Sequence, residues 1–120
     1  MYYFKALLID EETGNKQGKA INLGNIGNVY YEQGNYVKAL DYYSKALSIN
    51  KEIGNKRGQA IDYGNIGNVY LGQGDYSESL KYYFKALILD EETGDMQGQA
   101  INLGNIGSVY YKQGNFLKAS

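Results

Sequence analysis

A chain with neither histidine nor cysteine has few routes to covalent chemistry, and this one has neither. The first absence removes the commonest general base and metal ligand. The second removes thiolate nucleophiles, thiolate zinc and iron sites, and disulfides. No serine or lysine stands visibly paired with a base. The acidic pairs Glu11-Glu12 and Glu91-Glu92 have the form of a carboxylate dyad. Both fall in the last turn of a predicted helix, where the dipole disfavours negative charge, and they read as solvated surface. Tyr30, Tyr43, Tyr70 and Tyr83 could stack on a ligand, but they lie on an apolar stripe and are expected in the core. The inventory predicts a protein that is not an enzyme and needs no metal and no cofactor.

Charge and hydropathy narrow the partners. Lys and Arg number 12 against 13 Asp and Glu, spread through the chain, so no basic stripe is available to neutralise a phosphate backbone. Nucleic acid is not an expected partner. No apolar run approaches the ~20 residues of a membrane span, and no signal-peptide pattern opens the chain. No membrane association is expected, and the expected location is cytoplasmic.

The elements that position these residues are set by a repeat. GNIGNVYYEQG at Gly24, GNIGNVYLGQG at Gly64 and GNIGSVYYKQG at Gly104 are spaced 40 residues apart. A period of that size marks a solenoid, whose units bury their apolar faces only by stacking on one another. Gly-Asn or Gly-Asp pairs at 14, 34, 54, 74, 94 and 114 stop one helix and start the next. Glycine closes a C-terminus in the left-handed conformation, and the Asn or Asp side chain accepts from the following helix's free N–H groups. Asp75 and Glu78 also have capping-box spacing.

Two helix types result. Helix A, at about 16–33, 56–73 and 96–113, carries Leu23, Ile26, Gly27 and Tyr30 and their counterparts on one face. Helix B, at about 36–53 and 76–93, carries Tyr36, Ala39, Leu40, Tyr43, Ala46 and Leu47. Residues 1–13 read as part of another B helix, making six helical segments. The divisions are a partial helix over 1–14, repeats over 15–54 and 55–94, and a partial repeat over 95–120. Two-residue connections make neighbouring helices antiparallel. The fold class is therefore all-α, an alpha-alpha superhelix built of antiparallel helical hairpins. Gly27, Gly67 and Gly107 are expected to admit a tyrosine ring from the neighbouring helix.

The order Tyr63, Ile66, Gly67, Tyr70, Gly74, Tyr76, Ser79, Tyr83, Ala86 resembles the tetratricopeptide repeat. The usual closing proline is replaced by Lys51 and Glu91, and the unit is longer than the ~34 residues of that repeat. It is similar to the Leu-Gly-Asn class found in spindle-orientation adaptors and kinesin light chains. The resemblance implies a right-handed superhelix whose A helices line a concave groove that holds a peptide or protein segment.

Carried over by position, the groove residues are Asn25, Asn28, Tyr31 and Glu32 in the first A helix. Arg57, Asn65, Asn68 and Leu71 follow in the second, and Asn105, Ser108, Tyr111 and Lys112 in the third. Asparagine both donates and accepts, which suits an extended peptide backbone. Gly24, Gly64 and Gly104 would keep the groove floor open. A basic clamp for a C-terminal carboxylate is not expected, because Gly24, Gly104 and Ser108 occupy its positions. The alternative to a binding scaffold is self-assembly. GNFLKAS at Gly114 matches GDYSESL at Gly74, and MYYFKALLID matches KYYFKALILD at Lys81. Residues 116–120 of one copy and 1–13 of another would together rebuild a B helix, giving head-to-tail filaments.

Overall fold

The structure is a computed structural model that describes residues 15–119, with side chains over 15–114. The helix expected over 1–13, and any contact it makes, lies outside the described residues. Five helices follow one another: α1 (Lys16–Glu32), α2 (Tyr36–Glu52), α3 (Lys56–Gly72), α4 (Tyr76–Thr93) and α5 (Met96–Ala119). No strand occurs among the described residues. Each helix packs chiefly on its chain neighbours, so α1, α3 and α5 form one layer and α2 and α4 the other.

The Gly-Asn and Gly-Asp pairs act as the sequence predicts at four places. Gly34, Gly54, Gly74 and Gly94 have φ between 70° and 77°, the left-handed region that a Cβ disfavours. The next residue then caps the following helix. The Asn55 side chain accepts from the Gly58 N–H at 3.0 Å, Asp75 from Glu78 at 3.2 Å and Asp95 from Gly98 at 3.0 Å. Each such cap is worth about 1 kcal/mol.

The fifth place corrects the prediction. Gly114-Asn115 does not end a helix, and α5 runs through both residues to Ala119. At Gly34 and Gly74 the returning helix covers the apolar face of the one before it, and that packing offsets the cost of breaking the ladder. No helix follows α5 among the described residues, and the intrahelical hydrogen bonds continue through Gly114 and Asn115.

The core is a line of interhelix contacts. Ala39, Tyr43, Ile66 and Val69 form one buried cluster between α2 and α3, and Tyr83, Leu87, Ile106 and Val109 a second between α4 and α5. The helix glycines explain how the tyrosine rings fit. A Cβ on Gly27 would lie 2.7 Å from the Tyr43 ring, and one on Gly67 2.8 Å from the Tyr83 ring. Nothing lies within 4 Å of a Cβ on Gly107, because no ring packs there. The same contrast appears at Leu23, 4% exposed under α2, and its counterpart Leu103, 56% exposed on α5. Other tyrosines stack on one another, Tyr30 on Tyr42 and Tyr70 on Tyr82, each pair with centroids 5.5 Å apart. Of the tyrosines expected in the core, Tyr43 and Tyr83 are buried, while Tyr30 and Tyr70 are half-buried and pack against its edge.

Candidate binding groove

The α1, α3 and α5 layer presents two cavities side by side. One of about 430 Å³ opens between α1 and α3, and one of about 300 Å³ between α3 and α5. They share Ile61 and Asn65, so α3 is the wall between them. Every residue lining the second stands 40 positions after a residue lining the first. Gly24 and Gly64 line them; a Cβ on Gly24 would meet nothing within 4 Å, and one on Gly64 would lie 3.6 Å from Asn102 Oδ1.

Six predicted groove residues are brought together here. Asn25, Asn28, Arg57 and Asn65 line the first cavity, and Asn65, Asn68 and Asn105 the second. The other six line neither. Tyr31 and Leu71 are half-buried, Tyr31 packing on Tyr36 with centroids 5.8 Å apart and Leu71 packing against the α4–α5 core cluster. Their side chains belong to helix–helix packing, since each sits one residue past the Tyr30 or Tyr70 stripe and turns toward the next layer. Glu32, Ser108, Tyr111 and Lys112 are exposed beyond the cavities.

Two of the asparagines are tied to the core. The Tyr43 hydroxyl donates to Asn28 Oδ1 at 2.5 Å, and the Tyr83 hydroxyl donates to Asn68 Oδ1. Burial pushes both phenols up to about 12, so each is a protonated donor at neutral pH. Each Oδ1 keeps its second lone pair, so both amides can still donate through Nδ2 and accept through Oδ1.

The cavity floor is a buried polar pair. Asn50 Nδ2 donates to Asp62 Oδ2 at 2.7 Å, and 40 residues on Asn102 Nδ2 donates to Asp90 Oδ2 at 2.6 Å with the residue types exchanged. Asn55 Nδ2 adds a bond to Asn50 Oδ1 at 3.3 Å. Space for the pair comes from Gly58 and Gly98, where a Cβ would lie 2.7 Å from the Asn50 and Asp90 side chains. Burial pushes the Asp62 carboxyl up to about 7, against the bond from Asn50 that favours its charged form. Asp90 is raised too, by burial first, with Asn102 and Arg57 opposing and Asp95 reinforcing.

Comparison with known families settles the architecture. A family model described as Tetratricopeptide repeat matches residues 20–52, and a second with the same description matches residues 58–120. The chain belongs to the tetratricopeptide repeat family.

Three solved structures superpose well on this array. A Signal Transduction ATPase with Numerous Domains protein with a tetratricopeptide repeat sensor, from Pyrococcus horikoshii, aligns at 24% identity with TM-score 0.82, over 91% of this chain and 17% of its own. BtubC (BKLC) from P. vanneervenii aligns at 24% identity and TM-score 0.81, over 98% of this chain and 50% of its own. The tetratricopeptide repeat domain of Arabidopsis FLU aligns at 20% identity and TM-score 0.77, over 87% of each chain. The array thus spans half or less of the first two proteins, and likeness at these identities shows the fold alone. No curated protein matches the chain by sequence.

The array also holds groove residues that the sequence reading omits. Ile21, Ile61 and Ile101 line the cavities while 58%, 65% and 56% exposed. Their signal is present in the sequence: each lies four residues before Asn25, Asn65 or Asn105, hence on the same helical face. The Asn50–Asp62 pair is legible as well, in the recurrence at Asp90–Asn102, though only packing shows that the members touch.

Proposed function

We propose that this tetratricopeptide repeat array is a non-enzymatic scaffold that holds an extended peptide segment of a partner protein along the α1, α3 and α5 face. The observation that carries this reading is the recurrence, in two adjoining cavities, of an exposed isoleucine beside asparagines. Tetratricopeptide repeats generally mediate protein–protein interaction. An apolar contact beside asparagines, which both donate and accept, suits a chain whose side chains alternate and whose main-chain groups need partners. No helix among the described residues is long and apolar enough to cross a membrane. We place the array in the cytoplasm on the sequence reading alone.

The test is binding to an immobilised library of decapeptides. Ile61→Glu, exposed and in the shared wall, should weaken binding by at least tenfold while leaving helical circular dichroism unchanged. Unchanged binding would place the site elsewhere on the molecule.

A second reading has its own support in the open face of α5, where Leu103 and Tyr110 are more than half exposed. Residues 1–13 of another copy repeat the part of α4 that covers the equivalent face of α3, so head-to-tail association would bury it. Light scattering over a concentration series decides this, and a monomer at millimolar concentration would end it.

A further inference from the structure

The face of α3 turned away from the groove carries a second cluster. Tyr63 and Tyr70 stand two turns apart on it, opposite Ile61, Asn65 and Asn68. Tyr82 of α4 stacks between them, its ring centroid 6.0 Å from that of Tyr63 and 5.5 Å from that of Tyr70. Three ammonium groups meet this stack. Lys51 of α2 lies over the Tyr63 ring at 5.6 Å, Lys81 of α4 over the Tyr82 ring at 5.6 Å, and Lys85 over both, at 5.4 Å and 5.2 Å. The three thus form a row with Lys85 in the middle. Only the packing of α2 and α4 against α3 assembles it, since Lys51 lies far from Lys81 and Lys85 in the chain.

Among the described residues none of the three lysines pairs with a carboxylate or donates a hydrogen bond, and all three are exposed. Each ring contact is worth about 0.5–1 kcal/mol at an exposed site, and it holds the ammonium in place while leaving its hydrogens unused. The stack one repeat earlier differs. There Tyr30 and Tyr42 carry Lys38 and Lys45, but Asp41 stands at the position of Lys81 and pairs with Lys45 at 3.2 Å, and Leu23 replaces Tyr63. Unpaired positive charge is therefore gathered on the second stack. Negative charge lies at its far end, where burial, then Tyr82, Glu78 and Asp75, raise the Tyr70 phenol.

We propose that the Lys51, Lys85 and Lys81 row is a docking surface for an acidic, extended segment of a partner protein, with glutamate or aspartate at alternate positions. Alternate side chains of an extended chain fall on one side about 7 Å apart, close to the 6.0 Å between the two rings over which the lysines are spaced. The rings argue against nucleic acid. Bases need an open aromatic face to stack on, whereas Tyr63 is 9% exposed and Tyr82 has a ring on either side. None of the three lysines lines either cavity, so this docking does not depend on the groove reading.

The test is fluorescence anisotropy at low salt, with the full chain and a labelled, N-acetylated, C-amidated peptide of alternating serine and glutamate. Binding should fall at least tenfold when glutamine replaces glutamate in the peptide, and equally in the triple variant Lys51→Gln, Lys81→Gln, Lys85→Gln. Arginine at the same three positions should retain it. The triple variant Lys16→Gln, Lys38→Gln, Lys56→Gln loses the same charge elsewhere and should bind as the parent does, with unchanged helical circular dichroism in every variant. A peptide of the same composition with its glutamates in one block offers half of them to one side and should bind at least threefold more weakly. Equal losses in the two glutamine variants would reduce the attraction to net charge and overturn the proposal, as would a parent that does not bind. Oligouridylate of equal charge that binds more tightly than the peptide, and depends on the same three lysines, would assign the row to nucleic acid, and the acidic segment would fall.

Discussion

The Tyr43 hydroxyl reaches from the buried core to Asn28 at 2.5 Å, so the residue that fills the gap over Gly27 also fixes an amide in the groove. Tyr83 and Asn68 repeat the arrangement over Gly67. Core packing and groove chemistry are therefore coupled through a single side chain in each repeat.

That coupling is testable with Tyr83→Phe. The ring still packs against Gly67, while the hydroxyl's hydrogen bond is lost, at a cost of about 1 kcal/mol in urea unfolding. The Asn68 side-chain amide should lose its fixed orientation, read as averaging of its two NMR proton environments. Asn68→Ala should cost a similar amount, because it leaves the hydroxyl without its acceptor. An Asn68→Ala variant as stable as the parent would mean that the bond contributes nothing.

Glycines at equivalent positions should respond with opposite sign. Gly67→Ala drives a methyl into a buried ring 2.8 Å away and should destabilise by about 1–3 kcal/mol. Gly107→Ala meets nothing within 4 Å and should stabilise by about 1 kcal/mol through helix propensity. Thermal melts of the two variants check this, and shifts of the same sign would contradict the packing described.

Asp62 makes stability pH-dependent. Its folded-state value of about 7 lies above the ordinary 3.8, so the folded state holds the proton more tightly than the unfolded chain does. Stability from this group is fully present below pH 3.8 and is lost as pH rises toward 7, levelling off above it. Asp62→Asn keeps an acceptor for Asn50 and removes the charge. It should gain up to about 4 kcal/mol above pH 7, from 1.36 kcal/mol per unit. Asp90, raised in the same sense, keeps part of the slope in that variant. Melts from pH 4 to pH 8 that are parallel for parent and variant would refute the assignment.

The caps should differ in cost. Asn35 accepts only from the Lys38 N–H, whereas Asn55 caps α3 and also donates to Asn50. Asn35→Ala should cost about 1 kcal/mol and Asn55→Ala about 2 kcal/mol. Equal midpoints in urea would show that the second bond adds nothing.

Local signals were legible in the sequence because their physics is local. Gly54-Asn55 needs only its own backbone and the next turn to stop one helix and cap another, and the 3.6-residue period places Ile21, Asn25 and Asn28 on one face whatever lies opposite. The 40-residue recurrence then makes stacking compulsory, since one hairpin cannot bury its own stripe. Family and fold class follow from those features alone. Asn50 and Asp62 show where that reasoning stops. They are separated by a turn, and nothing in either helix announces that they meet across it, or that Gly58 exists to give them room.

Gly114-Asn115 shows the same limit from the other side. Its residues match Gly34-Asn35, yet it lies within a continuous helix, because a turn persists only where a returning helix packs against the one before it. Residue types and spacing thus determined the helices, their order and the face each would bury. The tertiary structure decided which asparagines are anchored, which carboxylates are buried and where a turn survives. Those outcomes depend on desolvation and contact between residues far apart in the chain, and both exist only once the layers have closed on each other.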